Sequence, residues 1–140
     1  MRYILLLKAS PSSEAGDMPG PDLIEAMGAF NQQMVDAGVM VDGAGLQASS
    51  KGVRVHLKTD GERTVTEGPF PDVGSLISGY WNLDVKSLAE AIEWVKRCPT
   101  PHPGYDCEIE IRKVFEAGDF GPEIEASEDA LREQIARQKA

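Results

Sequence analysis

The segment Arg2-Tyr3-Ile4-Leu5-Leu6-Leu7-Lys8 is apolar on both of its alternating faces, with Tyr3, Leu5 and Leu7 on one and Ile4 and Leu6 on the other. A strand reads this way when both faces are covered, so the segment predicts a central strand of a sheet with a layer on each side. Its apolar run is shorter than the roughly seven to fifteen residues of a secretion signal, and no small-residue cleavage site follows. Nothing in the chain approaches the ~18 apolar residues that a membrane-spanning helix needs.

Beyond this strand a loop rich in Pro, Gly and Ser runs to Pro21. Asp22 and Glu25 then mark an acidic first turn, and Leu23, Met27, Phe30 and Met34 recur at helical spacing until Gly38. Val39-Met40-Val41 opens a second strand that runs into Gly43-Ala44-Gly45, where missing side chains predict a bulge or a close backbone approach. Val53, Val55 and Leu57 alternate with Arg54, His56 and Lys58 before Asp60-Gly61, a preferred hairpin turn, and Arg63 to Glu67 is the return strand. Ser75 to Asp84 is another strand. Ser87-Leu88-Ala89-Glu90 is a capping box, and Leu88, Ala91, Ile92 and Val95 give a second amphipathic helix ending at Cys98-Pro99. After the stiff loop Pro99 to Gly104, a last strand alternates Cys107, Ile109 and Ile111 with Glu108, Glu110 and Arg112. Glu116 to Glu125 reads as acidic and irregular, and Ser127 caps a short terminal helix with Leu131 and Ile135 as its apolar residues.

Strand, helix, strands, helix, strand, with a hairpin inserted, is an α+β order whose common realisation is the ferredoxin-like split unit. Two helices cover one face of such a sheet. The double-sided first strand therefore predicts a second cover, which a twofold copy of the same sheet supplies: a homodimer.

The 140 residues carry 14 basic and 23 acidic side chains, a net charge of −9. Basic residues lie scattered among acidic ones, which repels a phosphate backbone and speaks against nucleic acid as a partner. No membrane partner is expected either. Cys98 and Cys107 form no Cys-x-x-Cys pair and do not lie at metal-ligand spacing from His56 or His102, so the reading is reduced thiols, no metal, no cofactor and a cytoplasmic protein. No Gly-x-Ser-x-Gly elbow and no phosphate loop is present.

At Glu67-Gly68-Pro69-Phe70 the sequence resembles the YCII-related family, in the branch named after an Asp-Gly-Pro-Phe motif. Further marks are Lys8-Ala9, Ala37-Gly38-Val39, Gly43-Ala44-Gly45-Leu46, Ser78-Gly79-Tyr80-Trp81, Glu90-Ala91-Ile92-Glu93-Trp94, Arg97-Cys98-Pro99 and Glu110-Ile111-Arg112. The resemblance covers residues 1–116 and leaves 117–140 as a C-terminal extension with a short helix. It implies a dimeric α+β barrel, in which two sheets face each other and enclose pockets. The acid of the motif is Glu67 rather than Asp, and the family's usual Ala-Glu-Thr-Lys-Glu continuation stands here as Pro71-Asp72-Val73-Gly74-Ser75, keeping one acid, Asp72. Genes of this family often lie beside those of alternative sigma factors, which implies a link to transcription through protein contacts.

A two-residue Asp60-Gly61 turn sets Arg54 opposite Glu67 and His56 opposite Val65, so that Arg54, Glu67 and His56 share one face near the Gly68-Pro69-Phe70 bend, with Asp72 presented beside them. A carboxylate, a guanidinium and an imidazole together can hold an anion and move a proton. Arg54, His56, Glu67 and Asp72 are thus the candidate catalytic residues, and the same side chains on a solvated face are the plain alternative. Lys8, Gly68, Pro69, Phe70, Trp81 and His102 are the candidate pocket residues; His102 in its proline-rich loop is either a lid or simply exposed. Trp81 and Trp94 read as core or interface before ligand stacking. Glu108, Glu110 and Arg112 read as a solvent edge or a cavity lining. Two functions follow: a metal-free enzyme doing acid/base chemistry on a small, anionic metabolite, or a non-catalytic ligand-sensing or accessory protein.

Overall fold

The computed structural model describes residues 1–139. The chain runs β1 (Arg2–Lys8), α1 (Pro11–Glu14), α2 (Pro21–Asp36), β2 (Met40–Gly45), β3 (Val53–Leu57), β4 (Arg63–Glu67), β5 (Ile77–Asp84), α3 (Leu88–Lys96), β6 (Ile109–Lys113) and α4 (Pro122–Gln138), with single 3-10 turns at Ser49–Lys51, Val73–Ser75 and Ala117–Phe120. Strands β2, β5, β1 and β6 form one antiparallel sheet in that order, and β3 and β4 pair only with each other. This is the ferredoxin-like order, an α+β fold with a hairpin inserted between its second and third strands.

Strand β1 lies between β5 and β6, the central place that its double-sided apolar pattern demands. Tyr3, Leu5 and Leu7 are buried and pack with Phe30 and Met34 of α2, Ala91 and Trp94 of α3, and Trp81 and Leu83 of β5. Phe30 and Trp81 meet edge to face with ring centroids 5.9 Å apart, and the Trp81 indole N–H donates to Asn31 Oδ1 at 2.9 Å. Leu5, Met34 and Leu83 are the largest fully buried side chains. Each contributes about 1.5–3 kcal/mol of apolar burial.

The opposite face of the sheet carries Ile4 and Leu6 beside Asn82, Tyr80, Arg112 and Glu110. Ile4, Leu6, Tyr80 and Asn82 stay half-exposed, because both core helices lie on the other side. The Gly43-Ala44-Gly45 stretch is closely approached rather than bulged: a Cβ on Gly43 would stand 3.0 Å from the Tyr80 carbonyl oxygen, while the β2–β5 register shifts just before the stretch, between Met40 and Asp42.

Three boundaries differ from the sequence reading. The last strand begins at Ile109, leaving Cys107 in the loop, and Ser75 ends a 3-10 turn rather than opening β5. The terminal helix is longer than expected, since it starts at Pro122, whose fixed dihedral suits a first helical position, and not at a Ser127 cap. It buries no residue. Its approach is anchored by Arg2, whose guanidinium pairs with Glu116 at 2.9 Å, raising the Arg2 pKa and lowering that of Glu116.

Core and extension should respond differently to truncation of one leucine. Leu5→Ala is expected to cost ~2–5 kcal/mol in urea unfolding. Leu131→Ala, half-exposed on α4, should stay within about 0.5 kcal/mol.

Candidate functional site

The β3–β4 turn decides which side chains meet. Lys58 N–H donates to Glu62 O at 3.0 Å, Gly61 N–H donates to Lys58 O at 3.0 Å, and Gly61 has φ of 94°. The loop therefore holds three residues, Thr59-Asp60-Gly61, with glycine in the left-handed position that closes this turn. Compared with a two-residue turn, that extra residue shifts the register by one and moves one strand's side chains to the other face. Arg54 stands opposite Thr66, His56 opposite Thr64 and Val53 opposite Glu67. The expected Arg54–Glu67 pair does not form, and Glu67 lies on the face opposite Arg54 and His56.

The partner of Arg54 is Asp72. Arg54 Nη2 lies 3.1 Å from Asp72 Oδ2, and both Nη atoms lie 3.3 Å from Oδ1. The guanidinium also stacks over Phe70, with its central carbon 3.9 Å from the ring centroid. Asp72 accepts in addition from the Ser75 hydroxyl, which donates to the Asp72 carbonyl as well, at 2.9 Å. The Ser75 bond first, and Arg54 second, hold the Asp72 carboxyl down at about 2. A carboxylate this acidic is a poor proton acceptor near neutral pH. Both side chains are 48% exposed, so the pair orients Arg54 more than it stabilises the fold.

The corner that carries Phe70 is tied down from below. Glu14, ending α1, accepts from the Ser49 amide at 2.9 Å and from the Ser49 hydroxyl. Ser49 Oγ in turn accepts from the Phe70 amide at 2.9 Å, while the Gly68 amide donates to Gly52 O at 2.9 Å. A Cβ on Gly68 would lie 1.8 Å from the Ser49 carbonyl oxygen, so only glycine fits. The Gly68–Pro69 peptide is cis.

Lys8 lies at the same end of the main sheet, since β1 leads directly through the Ser10 cap into α1, and the Ala9 amide donates to Leu76 O just beyond the Asp72 turn. Its Nζ is 3.6 Å from Glu110 Oε1, and Arg112 also meets Glu110, at 3.2 Å. Glu110 is half-buried between two cations, while Glu108 and Arg112 are exposed. His102 is not exposed: it is 9% accessible, and its Nε2 lies 3.3 Å from Ser78 Oγ, which also reaches the Lys8 carbonyl at 3.4 Å. This contact fastens the 99–106 loop to the ends of β1 and β5. Trp81 is buried on the helix side, as is Trp94, so Trp81 does not share a surface with Arg54 or Lys8.

Glu14, Ser49, Ser75 and Ser78 escaped the sequence reading. Only Ser75 had a legible signal, an Asp72-x-x-Ser75 spacing of the kind that closes on its own backbone. A cleft of about 400 Å³ lined by Cys98, Pro99, Pro101, Tyr105, Cys107 and Ile109, and another of about 310 Å³ between Arg2 and α4, lie away from Arg54, His56 and Asp72. Burial, and then the neighbouring Cys107, push the Cys98 thiol up to about 11, where it is a weak nucleophile at neutral pH. Among the described residues no group of three or more His, Cys, Asp or Glu could hold a metal ion, and no helix is long and apolar enough to cross a membrane.

Two measurements check this geometry. The Asp72 carboxyl, followed by carbon-detected NMR, should titrate near 2 and move toward its ordinary value in Ser75→Ala. Because the folded value is depressed, the contribution of this corner is present above the unfolded pKa of 3.8 and is lost only as pH falls toward 2. Gly68→Ala should destabilise the protein by ~1–3 kcal/mol, since the Ser49 backbone must move aside.

No curated protein matches the chain. The YCII-related domain model matches residues 1–116, spanning the ferredoxin-like sheet, the hairpin and the Glu67-Gly68-Pro69-Phe70 corner. The chain belongs to the YCII-related family.

Proposed function

We propose that the protein is a small-molecule-binding homodimer that holds a small anionic metabolite at the Arg54–Phe70–Asp72 corner. The observation that carries this reading is the fixing of one guanidinium from two sides. Phe70 supports its face, Asp72 holds its Nη edge, and the Glu14–Ser49 tie sets the Phe70 backbone. A cation fixed before binding loses little side-chain freedom when an anion arrives. Its Nε has no partner among the described residues, and a planar donor fork suits a carboxylate or phosphate group.

Proton transfer at this corner falls to His56, which shares the Arg54 face of the hairpin, since Asp72 stays ionised and Glu67 faces away. The chemistry so permitted is metal-free acid/base work on the bound metabolite. The half-exposed apolar face at Ile4, Leu6 and Tyr80 supports the homodimer, because a second sheet laid against it supplies the missing layer of a dimeric α+β barrel. The Gly68-Pro69-Phe70 corner supports membership in the Asp-Gly-Pro-Phe branch, and the two free thiols suit the cytoplasm. A second, non-catalytic reading is favoured by α4, whose Ile124, Leu131 and Ile135 are exposed: an accessory protein that senses the ligand and meets a protein partner such as a sigma factor.

Native mass spectrometry of freshly purified protein tests the first reading. Two chains with a retained small molecule are expected, and Arg54→Ala or Phe70→Ala should each weaken retention roughly ten-fold, about 1.4 kcal/mol. A ligand held equally well by Arg54→Ala would place the site elsewhere. A monomer would remove the homodimer.

A further inference from the structure

The face of the hairpin turned away from Arg54 and His56 is aliphatic and uncovered. Val53, Val55, Leu57 and Val65 share it, and they are 58%, 53%, 66% and 64% exposed. The hairpin shares no ladder with the main sheet. A two-stranded ribbon alone is marginal in water, and a contiguous apolar patch of this kind marks a contact surface.

The charges on the same face identify what covers it. Val55 stands opposite Val65 at the centre, Leu57 opposite Arg63 at the turn end, and Val53 opposite Glu67 at the far end. Arg63 and Glu67 are four residues apart on one strand, roughly 13 Å at ~3.3 Å per residue, too far to pair within the hairpin. Neither belongs to an ion pair among the described residues. The face is thus aliphatic at its centre, with opposite charges at its two ends. It complements itself when a second copy is laid on it end for end, and a contact about a twofold axis has that arrangement.

We propose that the β3–β4 hairpins of two copies pack aliphatic face on aliphatic face about a twofold passing beside the Val55–Val65 pair, with Arg63 of each copy meeting Glu67 of the other. A twofold along the strands would instead exchange β3 and β4, setting Arg63 over Leu57 and Glu67 over Val53, with no charge pair. Four side chains supply only part of the roughly 800 Å² that each partner gives to a stable dimer, so this contact acts together with the sheet face and rests on the homodimer proposed above. It assigns Glu67 to assembly rather than to the ligand corner. It also leaves Arg54 and His56, on the reverse face, free for ligand.

Sedimentation equilibrium of the full chain and of Arg63→Glu, Glu67→Arg and the double variant is the test. Both substitutions fall on exposed positions, and circular dichroism checks that the fold is kept. Each single variant sets like charges together across the twofold and should raise the dimer dissociation constant about ten-fold, and the double variant should restore most of it, since no pairing within one chain can compensate. Val65→Lys should weaken the dimer without any restoration by the charge pair. A dimer whose dissociation constant ignores the single variants, or in which the double variant is as weak as the singles combined, overturns the hairpin contact while leaving the sheet dimer standing. A monomeric parent protein overturns both.

Discussion

Two helices on one side of a four-stranded sheet leave its other side half-exposed, and much of this molecule is arranged around that constraint. Burial of Tyr3, Leu5 and Leu7 against Phe30, Met34 and Trp94 makes the helix side a closed core. Ile4, Leu6 and Tyr80 come to the open side by the alternation of the pleat alone, so the same strand that centres the fold also exposes it. Stability is a small difference between large terms, and an apolar sheet face left in water wastes part of the favourable one.

The corner at residues 67–72 shows how a surface side chain is given a fixed direction. Arginine loses considerable rotamer freedom when it is held, and an exposed ion pair alone repays little of that. Here the guanidinium is held by a ring, a carboxylate and the turn that presents both, and that turn is held by Ser49 and Glu14 from a different part of the chain. Acidity and orientation are linked through one carboxylate: the hydrogen bonds that keep Asp72 ionised also keep Arg54 in place.

Several polar groups that look functional in isolation serve the architecture instead. His102 is buried against Ser78 and fastens a loop, Trp81 fills the core and spends its indole N–H on Asn31, and the Arg2–Glu116 pair anchors the approach to α4. Such side chains are indistinguishable from ligand-binding ones by residue type. Only their surroundings separate a satisfied buried group from one left free to act.

The sequence by itself determined the element order, the central place of β1, the helix-facing residues of α2 and α3, and the family, because periodicity, capping residues and short motifs are local properties. It also brought Phe70 and Asp72 forward as neighbours of Arg54. The hairpin register lay beyond it. Asp60-Gly61 suits a two-residue turn, but the three-residue loop that forms has one residue more, and a shift of one residue moves Glu67 from the Arg54 face to the other. Likewise nothing local in Ala48-Ser49-Ser50 announces a hydroxyl that accepts from the Phe70 amide and donates to Glu14, since those partners are 21 and 35 positions away and meet only when the chain is folded. Local chemistry sets which elements form; the tertiary structure decides which side chains meet, because a distant contact depends on the summed geometry of every residue between.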